Sequence, residues 1–396
     1  MLIKNCELRY TKYTDGLYDI YIEDGKIKEI GKNLDIEDRK IDARGEVVTA
    51  GFVEPHCHMG IYETAVPEGM DGNEVTNPIT IGLRAIDAID PYDTAYDVAL
   101  RNGVTTLVCG PGSANIMGGS FAAIKSYGKE LSKRVVKEET SLKMALGENP
   151  KFAYGKRNMA PSTRMMSAAL MRENFYKALE YRDNFNLYNE SIAKGEKPKE
   201  FKYNLNMHSL MRAFDGMIVK IHAHQADDII TAVRIAEEFN LNYTIEHCTE
   251  GHLILDYLKE HNVKAILGPV LGGKGKFEVL NKSLENAGMF EKAGLMFAIM
   301  TDHPVIPEEA QRMHLSQLIK YGLSRQGAHD AVTINAAKIN GIDDRVGELA
   351  IGKDGGLVIW NSDPFDTYAL ADFVLVDGKV VFYRKGELDH VDYQFS

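Results

Sequence analysis

The chain has little cysteine, no excess of positive charge and no long apolar run. Its 396 residues include only four cysteines, which lie far apart and form no CxxC pair. Together with an N-terminus that lacks the apolar core of a signal peptide, this predicts a reduced, cytoplasmic protein. The formal net charge of −11 argues against nucleic acid as a partner. No apolar run reaches the ~18 residues that span a bilayer, so we expect no membrane partner.

Hairpin signals occur at both ends of the chain. An Asp-Gly pair at 24–25 separates two alternating apolar segments, and a second pair at 377–378 does the same near the C-terminus. Asp-Gly between alternating segments is a strong signal for a β-hairpin. We therefore predict that residues 1–50 plus 345–396 form a small composite β-sandwich domain. Two separate flaps would carry the same signals and are the alternative.

Between these ends, short apolar segments alternate with helical patterns. Such alternation is typical of an α/β fold with a parallel sheet. Residues 51–344 contain eight candidate strands, the number that a (β/α)8 TIM barrel requires. These strands are 52–58, 104–110, 120–127, 142–147, 217–224, 243–248, 264–269 and 295–302. In such a barrel the chemistry lies at the carboxyl ends of the strands.

Histidine or aspartate ends four of the candidate strands. His56 and His58 end the first strand, His222 the fifth, His247 the sixth and Asp302 the eighth. Because side chains alternate along a strand, His56 and His58 point the same way. A hydrogen-bonded core histidine would explain any one of these positions. Four such strand ends together predict a metal site at the mouth of the barrel.

These residues and their flanking segments resemble the amidohydrolase superfamily. The run 50–58, the helical segment 333–337 and the return segment 346–354 are similar to the superfamily's motifs. The resemblance covers nearly the whole chain and is closest to the imidazolonepropionase-related group. It departs at 355–357, where Gly-Gly-Leu replaces the usual Ala-Asp-Leu. It implies a metal-dependent catalytic barrel of residues 51–344 and a homo-oligomer.

The resemblance also implies the metal ligands. His56, His58 and Asp302 would hold one ion, and His222 and His247 would hold a second. Imidazoles with a carboxylate suit zinc best, with manganese or iron as alternatives. If the centre holds only one ion, His247 would polarise the substrate instead.

The fourth strand offers two candidates for a ligand shared by both ions. Lys143 lies among apolar residues, where an unpaired ammonium is costly, and carbamylation would convert it into a bridging anion. Glu148 is the rival, because some superfamily members use a glutamate. Strand alternation places the two side chains on opposite faces unless a bulge intervenes. A mononuclear centre, with Lys143 paired to a buried acid, is the third alternative.

The activity implied by the resemblance is hydrolysis of a C–N bond by a metal-activated hydroxide. The substrate would be a small-molecule amide, cyclic amide or dipeptide-like compound, and Asp302 would carry the water's proton to the leaving nitrogen. His224, Gln225 and Arg164 are candidate substrate contacts. Gln225 stands where imidazolonepropionase-like sequences carry an acid, which argues against that activity. A heterocycle deaminase is the alternative, and a non-catalytic scaffold protein is a remote one.

Overall fold

The computed structural model describes residues 1–62 and 70–384, so the last part of the predicted terminal domain, 385–396, lies outside the described residues. Two eight-stranded sheets make up its β-structure. The strands are β1 (Leu2–Leu8), β2 (Tyr18–Glu23), β3 (Lys26–Gly31), β4 (Lys40–Asp42), β5 (Val47–Ala50), β6 (Phe52–Cys57), β7 (Val104–Cys109), β8 (Met117–Lys125), β9 (Val135–Ala145), β10 (Ile218–Ala223), β11 (Tyr243–His247), β12 (Ala265–Leu267), β13 (Phe297–Ile299), β14 (Leu357–Trp360), β15 (Ala371–Val376) and β16 (Lys379–Tyr383).

Helices of very different length connect and flank these strands. They are α1 (Ala95–Arg101), α2 (Leu131–Arg134), α3 (Glu148–Gly155), α4 (Arg164–Ala193), α5 (Leu205–Met211), α6 (Ala226–Glu238), α7 (Leu255–Glu260), α8 (Asn286–Ala293), α9 (Gln311–Lys320), α10 (Arg325–Ala331) and α11 (Ile334–Ile339). α6 buries its apolar stripe, which includes Ile229 and Val233, and places two aspartates in its first turn, where the helix dipole favours negative charge. None of the helices in the described ranges combines the length and apolarity needed to cross a bilayer.

The first sheet, here called the terminal sheet, contains strands from both ends of the chain. Its order is β16-β15-β14-β5-β1-β2-β3, with β4 beside β1, and β14 pairs antiparallel with β5. Both predicted hairpins are present, and their Asp-Gly turns have positive φ at both positions, 52° and 75° at 24–25 and 48° and 70° at 377–378. That is the backbone of a tight I′-type turn. Packing of this sheet as a two-layer sandwich stays a prediction, as do the domain boundaries.

The second sheet, here called the barrel sheet, contains all eight strands predicted for residues 51–344. Its order follows the chain from β6 to β13. The two ends of this order meet just beyond the strands, where the backbone N–H of His58 donates to the carbonyl of His303 at 2.9 Å. The sheet is therefore nearly closed into a barrel.

One strand corrects the prediction of a regular (β/α)8 barrel. β8 is antiparallel to both β7 and β9, whereas the other neighbours in the barrel sheet are parallel. The reason is the length of the connections, because only residues 110–116 separate β7 from β8 and only 126–134 separate β8 from β9. A crossover between parallel strands needs about a dozen residues or more. The third strand consequently runs back from the barrel mouth.

Candidate metal centre

The strand ends that carry the predicted ligands meet at the mouth of the barrel. There the candidate ligand atoms form two groups within the described residues, and the atoms of each group lie within 4.8 Å of one another. The first group is His56, His58 and Asp302, and the second is His222, His224 and His247. All six side chains are buried. The structure thus brings together every predicted histidine ligand and the predicted aspartate.

All five imidazoles are oriented in the same manner, with Nδ1 held by an oxygen atom. The Nδ1 partners are Glu246 Oε2 for His56 (2.5 Å), the Gly110 carbonyl for His58 (2.7 Å), Ser113 Oγ for His222 (2.8 Å), Thr249 Oγ1 for His224 (2.7 Å) and the Gly268 carbonyl for His247 (2.8 Å). A carbonyl oxygen only accepts, so the Nδ1 atoms of His58 and His247 donate, and their Nε2 atoms carry the lone pair. This is the usual arrangement of metal-binding histidines.

Four of these imidazoles, those of His56, His222, His224 and His247, are also kept neutral by their surroundings. Burial lowers the pKa of His56, His222 and His224 well below the ordinary value, and neighbouring lysines and histidines lower it further. Burial likewise lowers the pKa of His247 to about 4, although Asp302 opposes this shift. Neutral imidazole is the form that binds a metal ion.

Unusual backbone conformations direct two of these side chains into the mouth. Strict alternation would place the neighbours Glu246 and His247 on opposite faces. Both nevertheless reach the site, because β11 ends at His247, where φ is +68°. Asp302 has φ of +55° just beyond β13. Non-glycine residues with positive φ are uncommon and concentrate at functional sites.

Asp302 lies between the two groups. Its Oδ1 is 3.1 Å from His58 Nε2 and 3.6 Å from His56 Nε2, and its Oδ2 is 4.0 Å from His247 Nε2. Burial raises the pKa of Asp302, but His247, His58 and Lys143 outweigh burial and hold the pKa below the ordinary value. The carboxyl group is therefore a carboxylate at neutral pH.

The two fourth-strand candidates lie in different surroundings. Lys143 is fully buried, and its Nζ is 3.4 Å from His56 Nε2. No carboxylate oxygen of the described chain lies within 4.0 Å of that Nζ. Burial lowers the pKa of Lys143 to about 8. Glu148 begins α3, and its backbone N–H donates to Glu278 at 2.8 Å. Lys143 thus adjoins the first ligand group, and Glu148 belongs to neither group.

Two buried charges beside the ligands were not predicted. Glu246 Oε2 accepts a hydrogen bond from His56 Nδ1 and also lies 3.5 Å from Lys220 Nζ. Lys220 Nζ in turn donates to the Pro55 carbonyl at 2.8 Å. Lys220 and Lys143 occupy paired positions on β10 and β9. Of these two buried lysines, Lys220 therefore has a carboxylate partner, whereas Lys143 has none within 4.0 Å in the described chain. The sequence signal was weak, namely an acid directly before His247 in an otherwise apolar strand.

The candidate substrate contacts differ in their surroundings. His224 joins the second ligand group, as described above. Gln225 and Arg164 contact each other, and the Arg164 guanidinium also donates to both oxygens of Asp228 at 3.0 and 3.1 Å. Arg164 lines a cavity of about 340 Å³ between α4 and α6. Contact of these residues with substrate stays a prediction.

The donor set fits the metal centre that the resemblance implies. Five imidazole rings and one carboxylate are buried together, and each imidazole has its Nδ1 held by an oxygen atom. Nitrogen and oxygen donors of this kind suit zinc, manganese and iron.

Comparisons with known proteins agree with this fold and identify the family. The model of the amidohydrolase family matches residues 47–383. An amidohydrolase structure from Thermotoga maritima MSB8 is 36% identical, with a TM-score of 0.92 over 97% of this chain and 100% of that one. Imidazolonepropionase from Syntrophobacter fumaroxidans is 24% identical over 401 residues, which cover 91% of this chain and 83% of that protein.

One relative is much longer than this chain. Amidohydrolase tasK from Hapsidospora irregularis is 27% identical over 408 residues, which cover 92% of this chain but only 40% of that protein. The family match nevertheless extends over most of this sequence and confirms the resemblance seen in its motifs. The chain belongs to the amidohydrolase family, whose members are hydrolases that act on carbon–nitrogen bonds.

Proposed function

We propose that the protein is a metal-dependent hydrolase that cleaves a C–N bond in a small amide, cyclic amide or dipeptide-like substrate. The observation that carries this proposal is the set of five buried imidazoles, each with Nδ1 held by oxygen, together with the carboxylate of Asp302 beside three of them. The partners of the Nε2 atoms are weaker: His58 Nε2 faces Asp302 Oδ1 at 3.1 Å, and the Nε2 atoms of His56 and His222 have only 3.4 Å contacts, to Lys143 Nζ and Asn149 Nδ2. A purely structural role would leave these buried nitrogens poorly satisfied, which is costly.

The ligands divide between two ions in this proposal. His56, His58 and Asp302 would hold one ion, and His222 and His247 would contribute to the second, with zinc as the proposed metal. A bound divalent ion supplies Lewis acidity, which lowers the pKa of water and polarises a carbonyl group. Zinc, the number of ions, a cytoplasmic location and a homo-oligomer all stay predictions.

Asp302 is the residue that would move protons. Its carboxylate is ionised at neutral pH and stands between the two ligand groups, so it can accept a proton from the attacking water. Transfer of that proton to the leaving nitrogen completes cleavage, because an amine leaves far more readily than its anion.

Lys143 is the proposed bridging ligand once it is carbamylated. Its Nζ lone pair would attack the carbon of CO2, forming an N–C bond, while one N–H proton is lost to water. Lys143 is buried, and its Nζ has no carboxylate oxygen within 4.0 Å in the described chain, so the new anion would meet no like charge at that distance. We expect carbon-13-labelled bicarbonate to give a carbamate resonance that the K143R variant lacks. Without this signal in the metal-loaded protein, Lys143 is not the bridge.

A substrate screen with metal-loaded protein tests the activity itself. The panel comprises N-acyl amino acids, dipeptides, cyclic amides and aminated heterocycles, with ammonia release as the readout for deamination. We expect turnover of an amide-type compound, and a loss of about 10³-fold or more in D302N and H56A, since each removes a group central to the reaction. Ammonia release from heterocycles alone would favour the deaminase alternative. Full turnover by D302N would overturn the proposed proton transfer.

A further inference from the structure

Glu278 is a buried carboxylate that the proposed reaction does not use. It lies in the short 3-10 turn Phe277–Val279 of the connection between β12 and α8, and its side chain is 0% exposed. Oε2 accepts the backbone N–H of Glu148 at 2.8 Å. Oε1 accepts no hydrogen bond from the described chain, and it lies 3.6 Å from His224 Nε2. An unsatisfied, buried carboxylate oxygen thus faces the second ligand group.

The three imidazoles of that group are close enough to share one ion. The ring centroids lie 4.3 Å apart for His222 and His247, 4.4 Å for His224 and His247, and 4.6 Å for His222 and His224. His224 is oriented like the other ligands, since Thr249 Oγ1 holds its Nδ1 at 2.7 Å. Oxygen atoms hold the Nδ1 atoms of His222 and His247 in the same way.

Simple geometry relates Glu278 to this group. Ligands that are 2.0–2.2 Å from a tetrahedral zinc ion lie roughly 3.3–3.6 Å from one another. The gap between His224 Nε2 and Glu278 Oε1 is 3.6 Å, which is too long for a good hydrogen bond but matches two ligands of one ion.

The other neighbour of Glu278 Oε1 can leave it. Lys276 Nζ is 3.8 Å away, but the Lys276 side chain is 49% exposed and donates to Asn149 Oδ1 at 2.6 Å. Its ammonium therefore keeps a partner, and access to water, when a cation takes the carboxylate.

We propose that His222, His224, His247 and Glu278 form a four-ligand site for a divalent transition-metal ion. The inference rests on the proposed metal dependence, and it gives His224 a ligand role in place of the substrate contact expected from the sequence. Three neutral nitrogens and one carboxylate suit zinc or cobalt. Such a site retains its ion without Lys143, unlike one that depends on a bridging carbamate.

Metal content and cobalt spectra test this site without any substrate. The protein is loaded with Zn²⁺ or Co²⁺, dialysed and analysed by elemental mass spectrometry and visible absorption. We expect two ions in the wild type and at least one in K143A. The visible spectrum of the cobalt that remains in K143A should be that of an ion with four ligands. H224A and E278Q should each lose about one ion, and E278D should regain part of the loss because it keeps a carboxylate.

Two matched variants separate metal binding from packing. Glu250 is buried nearby, but both of its oxygens already accept hydrogen bonds at 2.8 Å, from Ala226 N and Asn281 Nδ2, so E250Q should keep both ions. K276M removes the ammonium beside Glu278, and this variant should also keep both metal ions. Circular dichroism and thermal melting verify that each variant is folded.

The outcomes distinguish this proposal from the proposed function. Wild-type metal content and spectra in both H224A and E278Q would overturn the four-ligand site while leaving metal-dependent hydrolysis intact. Loss of both ions in K143A would overturn the independence from Lys143. A wild-type protein that takes up no ion would overturn both proposals.

Discussion

At the scale of single residues, the site depends on oxygen atoms that orient imidazoles. Glu246 illustrates this, because one of its carboxylate oxygens accepts a hydrogen bond from His56 Nδ1 and also faces the ammonium of Lys220. Its other oxygen accepts the hydroxyl of Thr244 at 2.5 Å. The carboxylate therefore fixes the tautomer of a ligand and compensates a buried ammonium at the same time.

Replacement of Glu246 should weaken metal binding. We expect E246Q to lower metal affinity about 10- to 100-fold, because the loss of a hydrogen-bonded carboxylate behind a ligand has that effect. Chelator competition with Zn²⁺ measures this directly. The double variant K220M/E246Q also removes the buried ammonium of Lys220, so we expect it to stay folded and to show the same loss of affinity. Wild-type affinity in the double variant would contradict the role of Glu246.

The sequence identified those site residues that end an apolar strand. His56, His222 and Asp302 could be found because a polar side chain after an apolar run marks the mouth of a barrel. Glu246 could not, because alternation assigns it and His247 to opposite faces until the positive φ of His247 is known. Glu278 gave no signal at all, since it lies on a connection whose path depends on the tertiary structure.

At the scale of elements, the sequence predicted the positions of the hairpin turns but not the direction of every strand. Both Asp-Gly pairs gave the expected hairpins, because positive φ at two successive positions restricts the residue types strongly. The reversal of β8 escaped prediction, because an apolar run reads the same in either direction. Only the short connections, 110–116 and 126–134, contained the information.

A glycine in the second hairpin tests how closely the terminal sheet is packed. A Cβ on Gly378, where φ is +70°, would lie 2.5 Å from Ile22 Cγ2 of β2. Gly294 has nearly the same φ, +71°, and no atom within 4 Å of such a Cβ. We expect G294A to cost about 1 kcal/mol from backbone strain and G378A about 1–3 kcal/mol more from the clash. Urea unfolding compares them, and equal costs would contradict the packing argument.

At the scale of the whole molecule, one buried carboxylate connects the two sheets. Asp354 forms ion pairs with Lys125 at the end of β8 (2.7 Å), Lys26 at the start of β3 (2.5 Å) and Arg345 (2.9 Å). The side chains of Asp354 and Lys125 are only 2% and 3% exposed. The reversed strand therefore delivers Lys125 to the terminal sheet.

Removal of this charge should destabilise the protein in a pH-dependent manner. Burial raises the pKa of Asp354, but Lys125, Lys26 and Arg345 outweigh burial and hold it below the ordinary 3.8. A lowered pKa stabilises the fold above pH 3.8 and loses that contribution as the pH falls through the folded value. We expect D354N to lower the free energy of unfolding by about 3 kcal/mol at neutral pH.

The control for this prediction is an exposed ion pair. Glu173 and Lys177 lie 2.5 Å apart on α4, and both are more than half exposed. E173Q should therefore change the unfolding free energy by no more than about 0.5 kcal/mol. Urea unfolding at pH 7 and at successively lower pH compares both variants with the wild type. A difference for D354N that grows on acidification would contradict the assigned sign.

The reversal of β8 also bears on the order in which the barrel assembles. β7, β8 and β9 form a meander with short connections, whose closure costs little chain entropy. β10 pairs with β9 only after residues 146–217 have been accommodated, and the seam between β6 and β13 joins the most distant parts of the barrel sheet. We therefore expect Lys143 to belong to a unit that forms early, and His222 and Asp302 to reach the site with contacts that form late. We expect the protein to bind its metal ion only at the end of refolding. The rate of metal uptake would then report the rate at which the barrel closes.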